Sequence, residues 1–275
     1  MMNVQKIIYL LIIVWSVLAG YFAFSDLQIS NSIVNPNAGW AVFLERYGEL
    51  PGLLIIILGI FLYSQKLNYN SKIEILIVRM VLVLGETVTL TYFMFVVLQN
   101  VAGSQSFFIS FYKFIASLSL VVSILLVFTV KIWKLQVSDL THGFSKIVVG
   151  MAFIGYLICI QLVKIFWGRV RFRDLDALYS NFTSWYIPNG ITGDQSFPSG
   201  HAAMAWMLLP LIVFLPKKNN IIKFISAGLI AAWGIAVPLS RVVTGAHYAS
   251  DVLFGSFIMI ISFLVLAKKH LSGKS

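Results

Sequence analysis

Charge is scarce in this chain. Only 11% of its 275 residues are Asp, Glu, Lys or Arg, against roughly 25% in a typical soluble domain, while 59% are hydrophobic and the mean hydropathy is +0.91. That scarcity excludes an ordinary soluble globular protein and marks an integral membrane protein. Cysteine is scarcer still: Cys159 stands alone inside the apolar run GMAFIGYLICIQLV. No intrachain disulfide and no cysteine-based metal site can form, and the redox compartment cannot be read from thiols. No soluble domain, low-complexity tract or clear internal repeat is present. The net charge is +10, from 20 basic and 10 acidic residues. The basic residues are dispersed between apolar segments, as membrane-flanking anchors are, so nucleic acid is excluded as a partner.

What is present in quantity is apolar sequence of membrane-crossing length. A bilayer core of about 30 Å needs about 20 mostly apolar helical residues, and eight stretches come close: 7–24, 50–65, 76–99, 108–130, 146–166, 200–216, 221–240 and 248–267. The expected architecture is all-α, a polytopic transmembrane bundle of about eight spans. The number falls to six if the short second stretch and the fourth, with Lys113 near one end, do not cross. The first stretch resembles the apolar region of a signal peptide, with a weak small-residue site at Ala19-Gly20, but its length and the membrane-embedded remainder favour an uncleaved anchor.

With eight spans, the even-numbered loops carry Lys66 and Lys72, then Lys131, Lys134 and Lys146, then Lys217, Lys218 and Lys223, and the tail adds Lys268, Lys269 and Lys274. The positive-inside rule puts these, and both termini, in the cytoplasm. The opposite loops differ. SDLQISNSIVNPNAGWAVFLERYGEL holds three acids against one Arg, and QNVAGSQSFF is uncharged. One outward loop, residues 168–197, breaks the trend with Arg169, Arg171 and Arg173.

Three polar islands give those cations a reason. Lys164 and Arg171 stand at the outer end of the fifth span, Ser199, Gly200 and His201 open the sixth, and Ser240, Arg241, His247 and Asp251 run from the seventh into the eighth. Span parity puts all three on one side. Lys164 and Arg171, seven residues apart, stack on one face if the helix continues, although Gly168 is placed to end it. His247 and Asp251 are four apart, so on a helix the carboxylate accepts one ring N–H and leaves the other nitrogen as a nucleophile. Pro198-Ser199-Gly200 ahead of a helix supplies backbone N–H groups, a capping hydroxyl and room for an anion.

Three cations with helix-end donors suit a phosphoryl group. Two histidines then divide the labour: His247 attacks phosphorus, and His201 protonates the leaving oxygen and later activates water. Taken singly, each residue has a blander reading, as a satisfied helix-end histidine, a headgroup anchor or a snorkelling lysine. Independent anchoring, however, predicts neither the shared side nor the His-to-Asp interval. His142 and His270 show the background, with no partner pattern around either.

Lys164-x6-Arg171, Pro198-Ser199-Gly200-His201 and Ser240-Arg241-x5-His247-x3-Asp251 together resemble the three signature motifs of the type 2 phosphatidic acid phosphatase (PAP2) family, metal-independent lipid phosphate phosphatases. The resemblance covers about residues 146–267. It implies that His247 forms a phosphohistidine, Asp251 orients it and His201 donates the proton. It further implies that Lys164, Arg171, Ser199, Gly200 and Arg241 hold the phosphate, with no metal and no cofactor. It divides the chain into N-terminal transmembrane helices, 1–145, without an interpretable motif, a catalytic core, 146–267, and a basic cytoplasmic tail, 268–275. One departure touches the first motif: Phe172 stands where the family has proline, so the loop after Arg171 has lost a fixed φ, and Arg169 or Arg173 is placed to share Arg171's task.

The expected substrate is a lipid phosphate or polyprenyl pyrophosphate whose head group enters from the outer face. Residues 172–197 are the expected lid, with Tyr179, Phe182, Trp185 and Tyr186 lining the access route or, more simply, forming an interfacial aromatic belt. Two other readings use the same residues: a lipid phosphotransferase, and a non-catalytic binder or transporter of anionic lipid. The His247/Asp251 pair argues against the second, since binding alone needs no oriented imidazole. The vanadate-dependent haloperoxidases share such a site but are soluble. Which lipid is acted on and the oligomeric state are not legible.

Overall fold

The computed structural model describes residues 4–67, 71–102, 105–128, 137–215 and 219–271, and the side chains of all of these but 102 and 105–110. The expected cytoplasmic Lys131, Lys134, Lys217, Lys218 and Lys274 lie outside the described residues. Within them there are helices and connecting loops and no strand. The helices are α1 (Val4–Ile33), α2 (Gly39–Tyr47), α3 (Leu50–Ser64), α4 (Lys72–Ala102), α5 (Gln105–Phe128), α6 (Asp139–Gly150), α7 (Val163–Trp167), α8 (Gly200–Trp206), α9 (Asn220–Val243) and α10 (Ala249–Leu271). A π-wound stretch, Met151–Leu162, joins α6 to α7 without interruption.

Seven helical segments among the described residues are long and apolar enough to cross a membrane: Val4–Ile33, Gly39–Ser64, Lys72–Val101, Phe111–Phe128, Asp139–Asp174, Asn220–Val243 and Ala249–Leu271. Most of their large apolar side chains face outward, including Val17, Phe24, Met80, Leu84, Phe224 and Leu229. Lipid is the solvent such a surface requires, and the chain is an integral membrane protein. The sixth expected stretch, 200–216, is the shorter apolar segment Gly200–Phe214. It is α-helical only to Trp206 and then 3₁₀ from Leu209, with Pro210 in its first turn. Proline offers no N–H to an α-helical ladder, and the winding changes there.

The first helix differs from its expected bounds. Hydropathy falls after Phe24, yet α1 continues to Ile33, and Ser25, Asp26 and Ser30 are buried. Ser25 and Asp26 find their partners in protein groups, so polarity does not mark the helix end. Much of the next expected loop is helical too, as α2.

The core lies where α3, α6, α8 and α10 meet, around Leu53, Ile56, Phe144, Ile147, Val148, Met151, Met204, Met207 and Met259. Small residues let the helices approach, as is usual in lipid, where packing replaces the hydrophobic drive. A Cβ on Gly52 would stand 2.3 Å from the Met204 carbonyl oxygen, and one on Gly255 would stand 2.4 Å from that of Ser199. Short α8 is thereby clamped between α3 and α10. Helices α4 and α5 form an outer hairpin against α3.

Asp26 of α1 touches Ser250 of α10, and Trp15 stacks with Phe257. These two helices are therefore antiparallel. Val4 and Leu271 lie about 30 Å, a full bilayer core, from the Asp26–Ser250 level at a rise of 1.5 Å per residue. Lys66, Lys72, Lys223, Lys268 and Lys269 cluster in sequence at that remote end, where Lys66 pairs with Asp139 at 2.8 Å.

Candidate active site

The three polar islands meet at the end opposite those lysines. Helix α7 stops where Gly168 turns left-handed (φ +58°), and a side chain there would strike the Gly190 carbonyl oxygen. Lys164 and Arg171 are therefore not stacked on one continuing helix. Buried Lys164 instead reaches α8: a Cβ on Gly200 would lie 3.5 Å from its Nζ, beside the Tyr156 hydroxyl and Gln161 Nε2. Arg171, Arg241, Asp251 and Glu49 are within electrostatic reach of Lys164, and Arg241, Lys164 and His247 are within reach of His201. Ser199 is the N-cap of α8, its Oγ accepting from Ala202 N–H at 3.3 Å, while its own N–H donates to the Asp251 carbonyl at 3.0 Å. Ser240 turns its hydroxyl back to the Val237 carbonyl at 2.7 Å.

His247 and Asp251 depart from the expected helical pair. His247 lies in the turn before α10, and Asp251 in the first turn of that helix. Gly245 (φ +71°) makes the turn possible, and His247 N–H is tied to the Arg241 carbonyl at 3.1 Å. Asp251 works as a cap, with Oδ2 accepting from Tyr248 N–H at 2.9 Å and from Ser196 Oγ at 2.5 Å. His247 Nδ1 stands 3.5 Å from the same oxygen, and Nδ1 makes no hydrogen bond. The ring nitrogen facing the carboxylate is nonetheless Nδ1, so Nε2 is the ring nitrogen on the side away from it. Burial pushes the imidazole down to about 3, against the pull of Asp251, so at neutral pH it is uncharged.

Arg169 does not share Arg171's task. It is fully buried behind Asp251 and uses every edge of its guanidinium: Nη1 to Asp251 Oδ1 (2.6 Å) and Ser250 Oγ (2.8 Å), Nη2 to Asp26 Oδ2 (2.9 Å), and Nε to the Thr183 carbonyl (2.9 Å). Its carbon end stacks 4.0 Å from the Tyr248 ring centroid. Asp26 also accepts from Ser250 N–H and Ser250 Oγ. The carboxylate beside His247 is thus fixed through Arg169 by a residue of α1.

Two more acids arrive from the N-terminal half. Glu45 of α2 bridges Arg241 Nη1 (2.8 Å) and Arg173 Nη1 (2.9 Å). Arg173 therefore faces Glu45 on the rim. Glu49, at the start of α3 and buried, accepts from Tyr92 O–H at 2.8 Å and lies 3.7 Å from His201 Nε2, which is also 3.2 Å from the Glu45 carbonyl oxygen. Sequence reasoning missed Asp26, Glu45, Glu49 and Ser196. The signal was present: these three acids are those of the first outward loop, SDLQISNSIVNPNAGWAVFLERYGEL, there read only as charge sorting.

Residues 168–199 cover the site, and their single helical turn is Phe172–Asp174. The loop is pinned by Trp185 Nε1–H to the Ala19 carbonyl (3.0 Å), Tyr179 O–H to Asn31 (2.9 Å) and Arg173 N–H to the Gly245 carbonyl (3.0 Å). Phe172, in the family's proline position, packs against Tyr179 and edge-on to Tyr248. Side-chain packing thus holds the backbone that a proline ring would hold. Trp185 belongs to a cluster with Phe197 and Phe254 and Phe182 packs on Tyr248, both half-buried, whereas Tyr179 and Tyr186 are exposed. The loop itself lines a polar cavity of about 370 Å³, between Arg171, Asp174, Gly193, Asp194 and Gln195.

Among the described residues, the buried atoms Arg171 Nε, Arg241 Nε and His247 Nδ1 find no hydrogen-bond partner. Converging cations with unused donors beside a neutral imidazole form an arrangement that binds a tetrahedral anion and can attack it.

Comparison with known proteins agrees. Residues 173–272 match the model of the PAP2 superfamily. The chain is similar to a protein named lipid A 4'-phosphatase from Rhizobium leguminosarum, 30% identical over 151 residues, covering 50% of this chain and 63% of that one. A protein of the same name from Rhizobium etli is 29% identical over 148 residues, covering 49% and 56%. Phosphatidylglycerophosphatase B of Bacillus subtilis is 40% identical over 78 residues, covering 26% and 37%. The matches thus span less than two thirds of each relative's length. No solved structure matches.

Proposed function

We propose, for a chain that belongs through residues 173–272 to the PAP2 superfamily, that this protein hydrolyses a phosphate from a membrane lipid without a metal, through a phosphohistidine. The observation that carries the proposal is the meeting of Lys164, Arg171, Arg241, His201 and His247 at one end of the bundle, with donors that no protein group uses. Neutral His247 Nε2 attacks phosphorus as His201 gives its proton to the departing lipid oxygen. His201, now a base, takes a proton from water, which attacks the phosphohistidine and returns His247 and inorganic phosphate. Lys164, Arg171 and Arg241 balance the charge spread over the equatorial oxygens, and Ser199 and Gly200 shape the cradle. Residues 146–267 form the catalytic core in this scheme. The N-terminal helices brace it through Asp26, Glu45 and Glu49.

Lysines gathered at the remote end support an orientation with both termini cytoplasmic and the site on the outer face. The printed names of the relatives support a lipid phosphate such as a lipid A phosphate or phosphatidylglycerol phosphate. Phosphate release from a panel of these two, phosphatidic acid and a polyprenyl pyrophosphate, in detergent with EDTA, tests the proposal. Release that persists in EDTA and vanishes in His247→Ala is expected. Release that requires a divalent cation, or that survives His247→Ala, refutes it.

A further inference from the structure

We propose that Glu49, held by Tyr92, is a positioning residue for His201, so that α3 and α4 belong to the proton-delivery device. The inference rests on the phosphatase reading above and extends it to residues outside both the motifs and the family match, since Glu49 and Tyr92 precede residue 173. Two oxygens face one ring nitrogen: the Glu45 carbonyl lies 3.2 Å and Glu49 Oε2 lies 3.7 Å from His201 Nε2. Both are acceptors, so Nε2 must carry hydrogen in either charge state. The proton that His201 gives up and later regains is then the one on Nδ1. The tautomer of the acid is set from the N-terminal half.

Charge gives the second reason. A histidine that must hold a proton before it donates one sits here among Lys164 and Arg241, within reach of both. Cations at that range oppose the imidazolium, and a carboxylate facing the ring offsets them before any substrate is bound. Glu45 is committed to Arg241 and Arg173. Glu49 is the carboxylate that faces the ring, and the Tyr92 hydroxyl at 2.8 Å fixes its other oxygen.

The test exploits leaving groups. An alkyl phosphate departs as a strongly basic alkoxide and needs the acid, whereas p-nitrophenyl phosphate departs as a weakly basic phenolate and hardly needs it. We read kcat/KM because it reports the steps up to phosphoenzyme formation, before the hydrolysis common to both substrates. Glu49→Gln is expected to lower kcat/KM for the alkyl phosphate about 100-fold, at the lower end of general-acid contributions, and to change it for p-nitrophenyl phosphate by less than about threefold. Tyr92→Phe, which leaves the carboxylate in place, should shift the same ratio in the same direction by a smaller factor. Equal losses on both substrates, or no loss on either, overturn the role of Glu49 while leaving the phosphatase reading intact. A wild-type protein that hydrolyses neither substrate and no lipid of the panel overturns both.

Discussion

Arg169→Met should destabilise the protein more than removal of any cation that faces the phosphate position. Arg169 is fully buried between Asp251 at 2.6 Å and Asp26 at 2.9 Å. Methionine fills similar volume but leaves two carboxylates in the interior with no cation between them. Breaking a buried ion pair from one side typically costs about 3–5 kcal/mol. Asp251 would keep Ser196 and Tyr248 N–H, and Asp26 would keep Ser250, so the loss should fall near the lower end, about 3 kcal/mol. Adding Asp26→Asn removes one of the stranded charges and should restore about 1 kcal/mol or more. Arg171→Met, at a partly exposed position with no ion pair among the described residues, should cost no more than about 1 kcal/mol. Denaturant unfolding of the four purified proteins in one detergent measures this order. If Arg169→Met unfolds within about 1 kcal/mol of wild type, or if Asp26→Asn adds to its loss, the buried cluster does not brace Asp251 as described.

The rest of the site makes further predictions. Glu45→Gln frees Arg241 and Arg173 from an internal carboxylate and should strengthen inhibition by inorganic phosphate about two- to fivefold, the scale of a partly exposed ion pair; unchanged or weaker inhibition contradicts it. Arg241→Gln should lower kcat/KM about 10²–10³-fold, as loss of one transition-state donor does, while Arg173→Ala stays within a few fold; similar losses for the two would put Arg173 in the site rather than on its rim. Burial holds His247 down near 3, so its ring should stay neutral throughout pH 5–8. In a histidine-labelled NMR titration the resonance missing from His247→Ala should not move over that range, and a midpoint near the ordinary 6.5 would mean that water reaches the ring. In a Cys159→Ser background, a cysteine at Ser180 should react with an impermeant thiol reagent in intact cells and one at Asn219 should not; the reverse places the site in the cytoplasm.

The motif residues were legible because their types and intervals are local in sequence, and the apolar stretches because lipid enforces length. Their geometry was less so. The His247–Asp251 interval reads as one helical turn, but the Gly245 turn puts the histidine outside the helix. Lys164 and Arg171 read as a stack, but Gly168 separates them. The braces were not legible at all: Arg169 and Asp26 are 143 positions apart, and Ser250 and Asp26 are 224 apart. Nothing local links an acid late in the first helix to the carboxylate beside His247. Helix α1 outran its hydropathy for the same reason, since Asp26 and Ser30 are buried against protein. Phe172 looked like a defect only because the packing that replaces proline comes from Tyr179 and Tyr248.

The central claim is a covalent one, that phosphorus passes through His247. Rapid mixing of the purified protein with ³²P-labelled lipid phosphate, quenched in alkali, should trap a phosphoprotein that is stable to base, labile to acid and mapped by mass spectrometry to the peptide bearing His247, and His247→Ala should carry no label. Steady turnover without a trapped label, or a label on another residue, would contradict the account.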